Sequence, residues 1–175
     1  MTRPFAPIRL ARPDELDDLA MVELDATVSL VEAGVSFPGG PSATPRPLLE
    51  GALGEGLLYV ATGAEGRPVG FLAAHERDGG LYVGEIDVVR RCQRRGIGRA
   101  LMNRAIGEAR DRRLWGAMLT TDRFVSFNAP FYASLGFREV AGEAVPPGLA
   151  RVLAVERAAE HQAARRVGMI LRFGE

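Results

Sequence analysis

The hydrophobic and polar positions change their period several times along the chain, and each change marks an element. Ile8 and Leu10 read as a short strand. Pro13 and Asp14 then open an acidic run in which Leu16, Leu19, Ala20, Leu24 and Val28 recur at helical spacing, with Asp14 placed as an N-cap or first-turn acid. Pro38-Gly39-Gly40-Pro41, followed by Pro45 and Pro47, predicts an irregular loop. Beyond it, 57–61 and 69–74 read as two strands joined through the turn-forming 63–68, a hairpin. A third strand, 81–89, follows Asp78-Gly79-Gly80 and alternates Glu85 and Asp87 with Ile86 and Val88. A long helix comes next, with Ile97, Leu101, Ala105 and Ala109 on one face. The remainder predicts a strand at 117–120, a short helix at 129–135, a strand entry at Gly136-Phe137, a helix around Leu149, Val152, Leu153 and Glu156, and a terminal strand at 167–173. The class is α/β, with a mostly antiparallel first half.

Composition narrows the chemistry. The chain has 175 residues, 47% hydrophobic and 25% charged, as in an ordinary globule. It should bury roughly 70% of the surface its unfolded form exposes, enough for one domain. Its 22 basic and 22 acidic side chains cancel, and every basic one is arginine. Without lysine there is no Walker phosphate loop, no pyridoxal phosphate or Schiff-base chemistry and no protein kinase signature. One cysteine, Cys92, cannot form an internal disulfide, and His75 and His161 stand too far apart in sequence to suggest a zinc cluster, so no metal is expected. The N-terminal stretch lacks an apolar core of signal-peptide length, and no segment approaches the ~20 apolar residues of a membrane span. A cytoplasmic protein with no membrane partner is expected. Zero net charge also argues against a nucleic-acid partner.

The balance hides one local excess. Arg90, Arg91, Arg94, Arg95 and Arg99 surround Gly96-Ile97-Gly98 between the third strand and the long helix. Glycines allow a tight turn, the following helix offers its N-terminal N–H groups and dipole, and guanidinium groups hold phosphate by paired hydrogen bonds. Such a run is often only a solvated face. The coincidence of glycines, strand-to-helix junction and arginines favours an anion site. A dinucleotide fingerprint is excluded, because Leu101 stands where it requires a third glycine.

Gln93-Arg94-Arg95-Gly96-Ile97-Gly98-Arg99-Ala100-Leu101 resembles the Q/R-x-x-G-x-G/A signature of the GNAT superfamily of acyl-CoA N-acyltransferases. Asn128-Ala129-Pro130-Phe131-Tyr132-Ala133-Ser134-Leu135-Gly136-Phe137 resembles that superfamily's second landmark, one helix and one strand later. The resemblance is tightest over about 81–140. It implies a single N-acetyltransferase domain spanning 1–175 with a GNAT-like fold: a mixed, mostly antiparallel central sheet flanked by helices, opening in a V for acyl-CoA after the fourth strand. The cofactor-binding core would be about 81–140 and the acceptor-side elements about 14–50 and 143–166.

The resemblance further implies acetyl-CoA or a close acyl-CoA as donor. Its pyrophosphate would rest on the amides and side chains of Gln93, Arg94, Arg95, Gly96, Ile97, Gly98 and Arg99. The backbone of Val88 and Val89 would pair with the pantetheine arm, Asn128 would hydrogen-bond it, and Tyr132 would protonate the departing thiolate. An oxyanion donor such as the Val88 N–H completes the chemistry. From the pattern alone, Tyr132 reads equally as helix core and Asn128 as an N-cap.

The general base is not fixed by the resemblance. Where many members carry a glutamate this chain has Gly84, leaving Glu85, with Asp87 on the same strand face, as candidates. His75 is a weaker one, and Cys92 has no paired histidine to activate it. The expected acceptor is a primary amine of a small molecule or peptide, in a pocket built from the N-terminal helices, the loop 36–47 with Phe37, and 143–166. The alternatives are a non-catalytic acyl-CoA sensor on the same fold, which the absent glutamate favours, and nucleic-acid binding by the arginine segment. Dimers are common among proteins resembling this one, though the sequence carries no signal for one.

Overall fold

The computed structural model describes residues 7–37, 39–159 and 163–174, so Pro38 and His161 lie outside the described residues. Seven strands run in the order β1-β2-β3-β4-β5-β7-β6. Among the described pairings, β4–β5 has a parallel register, and β1–β2, β2–β3, β5–β7 and β6–β7 are antiparallel. The mixed, mostly antiparallel sheet with flanking helices is the architecture expected from the sequence. The chain falls into two compact units, one made of the residues up to His75 with Gly84–Gly107, the other of Glu76–Val83 with Glu108 onward. Among the described residues no helix is long and apolar enough to cross a membrane.

In the first unit, β1 (Arg9–Leu10) pairs with β2 (Leu58–Thr62), which forms the expected hairpin with β3 (Pro68–Arg77). All five β2 residues are buried, so a continuous apolar run rather than alternation encodes it. Helix α1 (Leu16–Glu32) follows a single 3-10 turn at Pro13–Glu15. Glu15, rather than Asp14, closes that start. Its carboxylate accepts the Arg12 N–H at 2.8 Å and the Arg9 guanidinium at 2.9 and 2.6 Å.

The buried side of α1 comprises Leu16, Leu19, Val22, Glu23, Ala26 and Thr27. The expected Ala20, Leu24 and Val28 lie at its half-buried margin. The loop also ends sooner than the prolines suggested. Helix α2 (Arg46–Gly54) starts just after Pro45, with Pro47 in its first turn, where the missing N–H costs no helical hydrogen bond. Helix α3 (Ile97–Asp111) buries Ile97, Leu101, Ala105 and Ala109 as its spacing predicts.

In the second unit, the start of β4 (Gly80–Val88) pairs with β5 (Gly116–Asp122), and β5 pairs along its whole length with β7 (Arg166–Arg172). The short β6 (Arg138–Val140) borders β7. Helix α5 (Pro147–Ala159) presents Leu149 and Leu153 to a core with Tyr82, Met118 and Ile170. The Asp78 carboxylate accepts the Gly148 N–H in the first turn of α5. Helix α4 (Ala129–Ala133) stops short of the expected 135, because the chain turns at Gly136 with φ +93°.

Candidate functional site

The phosphate-site candidate begins where β4 ends. Val89 donates its N–H to the Val69 carbonyl at 2.9 Å, and Arg90–Cys92 make one 3-10 turn. Arg94 then adopts φ +59° and Gly96 φ +85°, and α3 opens at Ile97. A Cβ on Gly96 would meet nothing within 4 Å, so glycine is needed there for its backbone angle and not for space. The turn therefore delivers Gly96, Ile97, Gly98 and Arg99 to the amino end of a fifteen-residue helix, where its dipole and opening N–H groups favour an anion.

The five arginines do not share one task. The Arg90 N–H donates to Asp25 at 2.7 Å, and its guanidinium lies 3.5 Å from Asp25 and 3.6 Å from Glu32, both on α1. Arg91, Arg94, Arg95 and Arg99 are exposed. Gln93 spends its side chain on architecture: Nε2 donates to the Val88 carbonyl at 3.0 Å, while Oε1 accepts the Ser29 hydroxyl at 3.2 Å. Cys92 is a half-buried free thiol.

The parallel register of β4 runs from Leu81↔Ala117 to Val83↔Leu119, and β4 continues to Val88. That continuation carries Glu85, Asp87 and Val88. From behind it is packed tightly: a Cβ on Gly70 would stand 3.0 Å from the Asp87 carbonyl oxygen and 3.2 Å from Ile97. Glu85 and Asp87 do share a strand face, as their spacing predicts. One carboxylate oxygen from each lies within 4.8 Å of the other and of one from Glu23, a group that could hold a cation.

Glu23 was not legible as a site residue. Its only sequence signal is its place one helical turn after Leu19 and one before Thr27, both on the buried side of α1. It accepts the Thr44 N–H at 2.8 Å and the Thr44 hydroxyl at 3.0 Å, which ties the loop after α1 to the cluster. Burial raises its pKa, and those two hydrogen bonds work against the rise. Asp87 is held well above the usual carboxylate range, first by desolvation, then by the charges of Glu85 and Glu23 and a hydrogen bond with Glu85. Its Oδ2 is buried and accepts no hydrogen bond among the described residues.

In the second unit, Asn128 holds the N-cap position of α4 without using its side chain as a cap, and Pro130 sits in the first turn. Tyr132 is half-buried, its ring edge-on to Phe131 at 5.1 Å and to the buried Phe137 at 6.1 Å. His75 is engaged elsewhere, with Nδ1 2.8 Å from Glu55 Oε1.

Residues 32–137, more than half of the chain, match the Acetyltransferase (GNAT) family, and the chain belongs to that family. The fold is shared with solved members at low identity. A GNAT acetyltransferase from Staphylococcus aureus Mu50 superposes with a TM-score of 0.70 at 16% identity, over 95% of this chain and 98% of that one. The PaiA N-acetyltransferase of Thermoplasma acidophilum, crystallised with coenzyme A, gives 0.67 at 14% identity, over 99% and 100%. A protein named as a streptothricin acetyltransferase of Bacillus anthracis, crystallised with acetyl coenzyme A, gives 0.54 at 19% identity, over 67% of this chain and 63% of the length of that one.

Proposed function

We propose that this chain is a single N-acetyltransferase domain that moves the acetyl group of acetyl-CoA to a primary amine by direct attack in a ternary complex. The observation that carries the reading is the turn Gln93–Arg99, with its left-handed Arg94 and Gly96 opening α3 beside the end of β4. Exposed arginines and helix-terminal amides there suit the pyrophosphate of the donor. The binding of coenzyme A and acetyl-CoA by family members of the same fold supports that choice of donor. The backbone of Val88 and Val89 takes the pantetheine arm and Asn128 contributes a hydrogen bond to it.

In the reaction, a carboxylate of the β4 pair removes a proton from the acceptor ammonium. The freed amine attacks the thioester carbonyl, and the Val88 N–H donates a hydrogen bond to the developing oxyanion. The C–S bond then breaks, the thiolate takes its proton from Tyr132, and the second proton shed by the nitrogen as the neutral amide forms returns to the Tyr132 oxygen. Asp87 is the preferred base, because burial and the neighbouring Glu85 and Glu23 charges raise its proton affinity well above that of an ordinary carboxylate. Glu85 shares its proton.

The test mixes the protein with acetyl-CoA and an amine panel and follows release of free CoA thiol, with thermal unfolding as the binding readout. The reading expects CoA to raise the unfolding temperature and at least one amine to release thiol. Tyr132→Phe should lower kcat by about 10–100-fold and leave CoA protection intact. Protection by CoA without thiol release from any amine would instead mark a non-catalytic acyl-CoA sensor.

A further inference from the structure

The buried carboxylate at the end of β5 serves something other than the sheet. The β5–β7 ladder is built from main-chain pairing as far as Asp122↔Arg166, and the Asp122 side chain is enclosed at that last rung. An enclosed charge is costly unless paired, and asparagine or serine could close a turn there without one. What the carboxylate adds is a joint between two segments. Oδ1 accepts the Phe124 N–H at 2.8 Å, and Oδ2 accepts the Arg165 Nε–H at 2.7 Å from the short turn Ala163–Arg165 ahead of β7. The Arg165 carbonyl accepts the Arg123 N–H at 2.9 Å, and the Arg165 guanidinium lies 5.5 Å from the centre of the Phe124 ring. Arg123 and Phe124, the first two residues to leave β5, are thus both fastened to one ion pair.

That loop leads into Asn128 and Tyr132. Val125 is buried within it, and the Val125 carbonyl accepts the Asn128 N–H at 3.0 Å. The Asn128 carbonyl in turn accepts the Tyr132 N–H at 3.2 Å, inside α4. Helix α4 has only five residues, well short of the ~12 at which an isolated helix begins to hold itself in water, so the chain on either side must place it. Behind it, the buried Phe137 donates its N–H to the Tyr132 carbonyl at 3.1 Å. Ahead of it, the fixed points are Val125 and the Asp122–Arg165 pair.

Building on the acetyltransferase reading, we propose that Asp122 and Arg165 are positioning residues for the reaction. Through the loop 123–128 they hold the Asn128 amide at the pantetheine arm and the Tyr132 hydroxyl at the departing sulfur, and they act on the donor only by way of those two groups. A misplacement of about 1 Å at a reacting group can cost on the order of 100-fold in rate. Loss of the pair leaves the Val125 anchor in place, so the loop loosens rather than departs and a smaller loss is expected.

The experiment is a pair of double-mutant cycles. Asp122→Ala is combined with Tyr132→Phe and read as kcat for thiol release, and combined with Asn128→Ala and read as the Kd of coenzyme A by calorimetry. Alone, Asp122→Ala should lower kcat about tenfold and weaken coenzyme A about 3–10-fold. In the Tyr132→Phe background its effect on kcat should shrink to less than about twofold, and in the Asn128→Ala background so should its effect on Kd. Arg165→Lys, which keeps the charge, should stay nearer the wild type than Arg165→Gln in both readouts. If Asp122→Ala costs the same factor in every background, its role is stability alone and the positioning proposal is overturned, with the acetyltransferase reading left standing. If coenzyme A binds but no amine releases thiol, the acetyltransferase reading fails and the coenzyme A cycle decides the pair: coupling to Asn128 upholds it, and additivity removes it. Absence of coenzyme A binding in the wild type overturns both. Should Asp122→Ala fail to fold, as thermal unfolding would show, Arg165→Gln carries the same two cycles, because it removes the ion pair and leaves Asp122 to accept the Phe124 N–H.

Discussion

Asp87→Asn should make the protein more stable and less active, and the gain in stability should depend on pH. Carboxylate oxygens within 4.8 Å of one another repel by at least about 3.5 kcal/mol if both groups are ionised at an effective dielectric of ~20. A buried acceptor with no partner adds roughly 1–3 kcal/mol. The proton shared with Glu85 already relieves part of this, so a net gain of about 1–3 kcal/mol is expected for the neutral amide. For a chain of this size that corresponds to roughly 3–9 °C in Tm.

The sign follows from the direction of the shift. The Asp87 pKa is raised in the folded state, so the native protein holds that proton more tightly than the unfolded chain does. The stability this contributes is fully present below the unfolded pKa and is lost as pH rises through the folded one. Asp87→Asn should therefore come closest to the wild type below about pH 4 and exceed it at pH 8, measured by thermal unfolding across that range. Thiol release should fall by about 10²–10⁴-fold if Asp87 is the base. A Tm gain independent of pH, or a loss at pH 8, would refute the view that this cluster stores repulsion.

Glu15→Gln should act in the opposite pH window. The Arg9 hydrogen bond lowers the Glu15 pKa, so that interaction stabilises above the unfolded value and fades as pH falls through the folded one. Arg9 is one-third exposed, which holds the expected loss near neutrality to about 1 kcal/mol, closing on acidification in a denaturant titration. Gly96→Ala, placed at φ +85° in open space, should cost about 1 kcal/mol of stability and weaken CoA binding about tenfold by calorimetry. An unchanged CoA affinity would detach the turn from the phosphate. Gly70→Ala pushes on the Asp87 backbone, the Val88 side chain and Ile97 at 3.0–3.2 Å, and should cost about 1–2 kcal/mol while raising the KM for acetyl-CoA.

The elements whose pattern is local were legible in the chain. The α3 face follows from its helical period, the β2–β3 hairpin from two apolar runs on either side of turn-forming residues, and the left-handed turn at Gly96 from a glycine between a strand and a helix. Helix α2 was hidden because prolines were read as loop, although Pro47 occupies the one helical turn that tolerates it. The side of α1 that turns inward was misjudged by about one position. Its Leu16 and Leu19 suit either choice, and only packing decides that Val22, Glu23 and Ala26 follow them. That small rotation carried the most informative residue of the candidate site out of view, because a glutamate in an acidic helix looks solvated until its neighbours are known.

The side chain of Gln93 and the main chain of Arg90 give the phosphate turn a further property. Both fasten it to α1, through Ser29 and Asp25, the same helix that carries Glu23. Gln93 also grips the last carbonyl of β4, so the turn, the strand and the helix share one fastening. Under the proposed function, a donor phosphate settling on this turn would bear directly on the helix that holds Glu23.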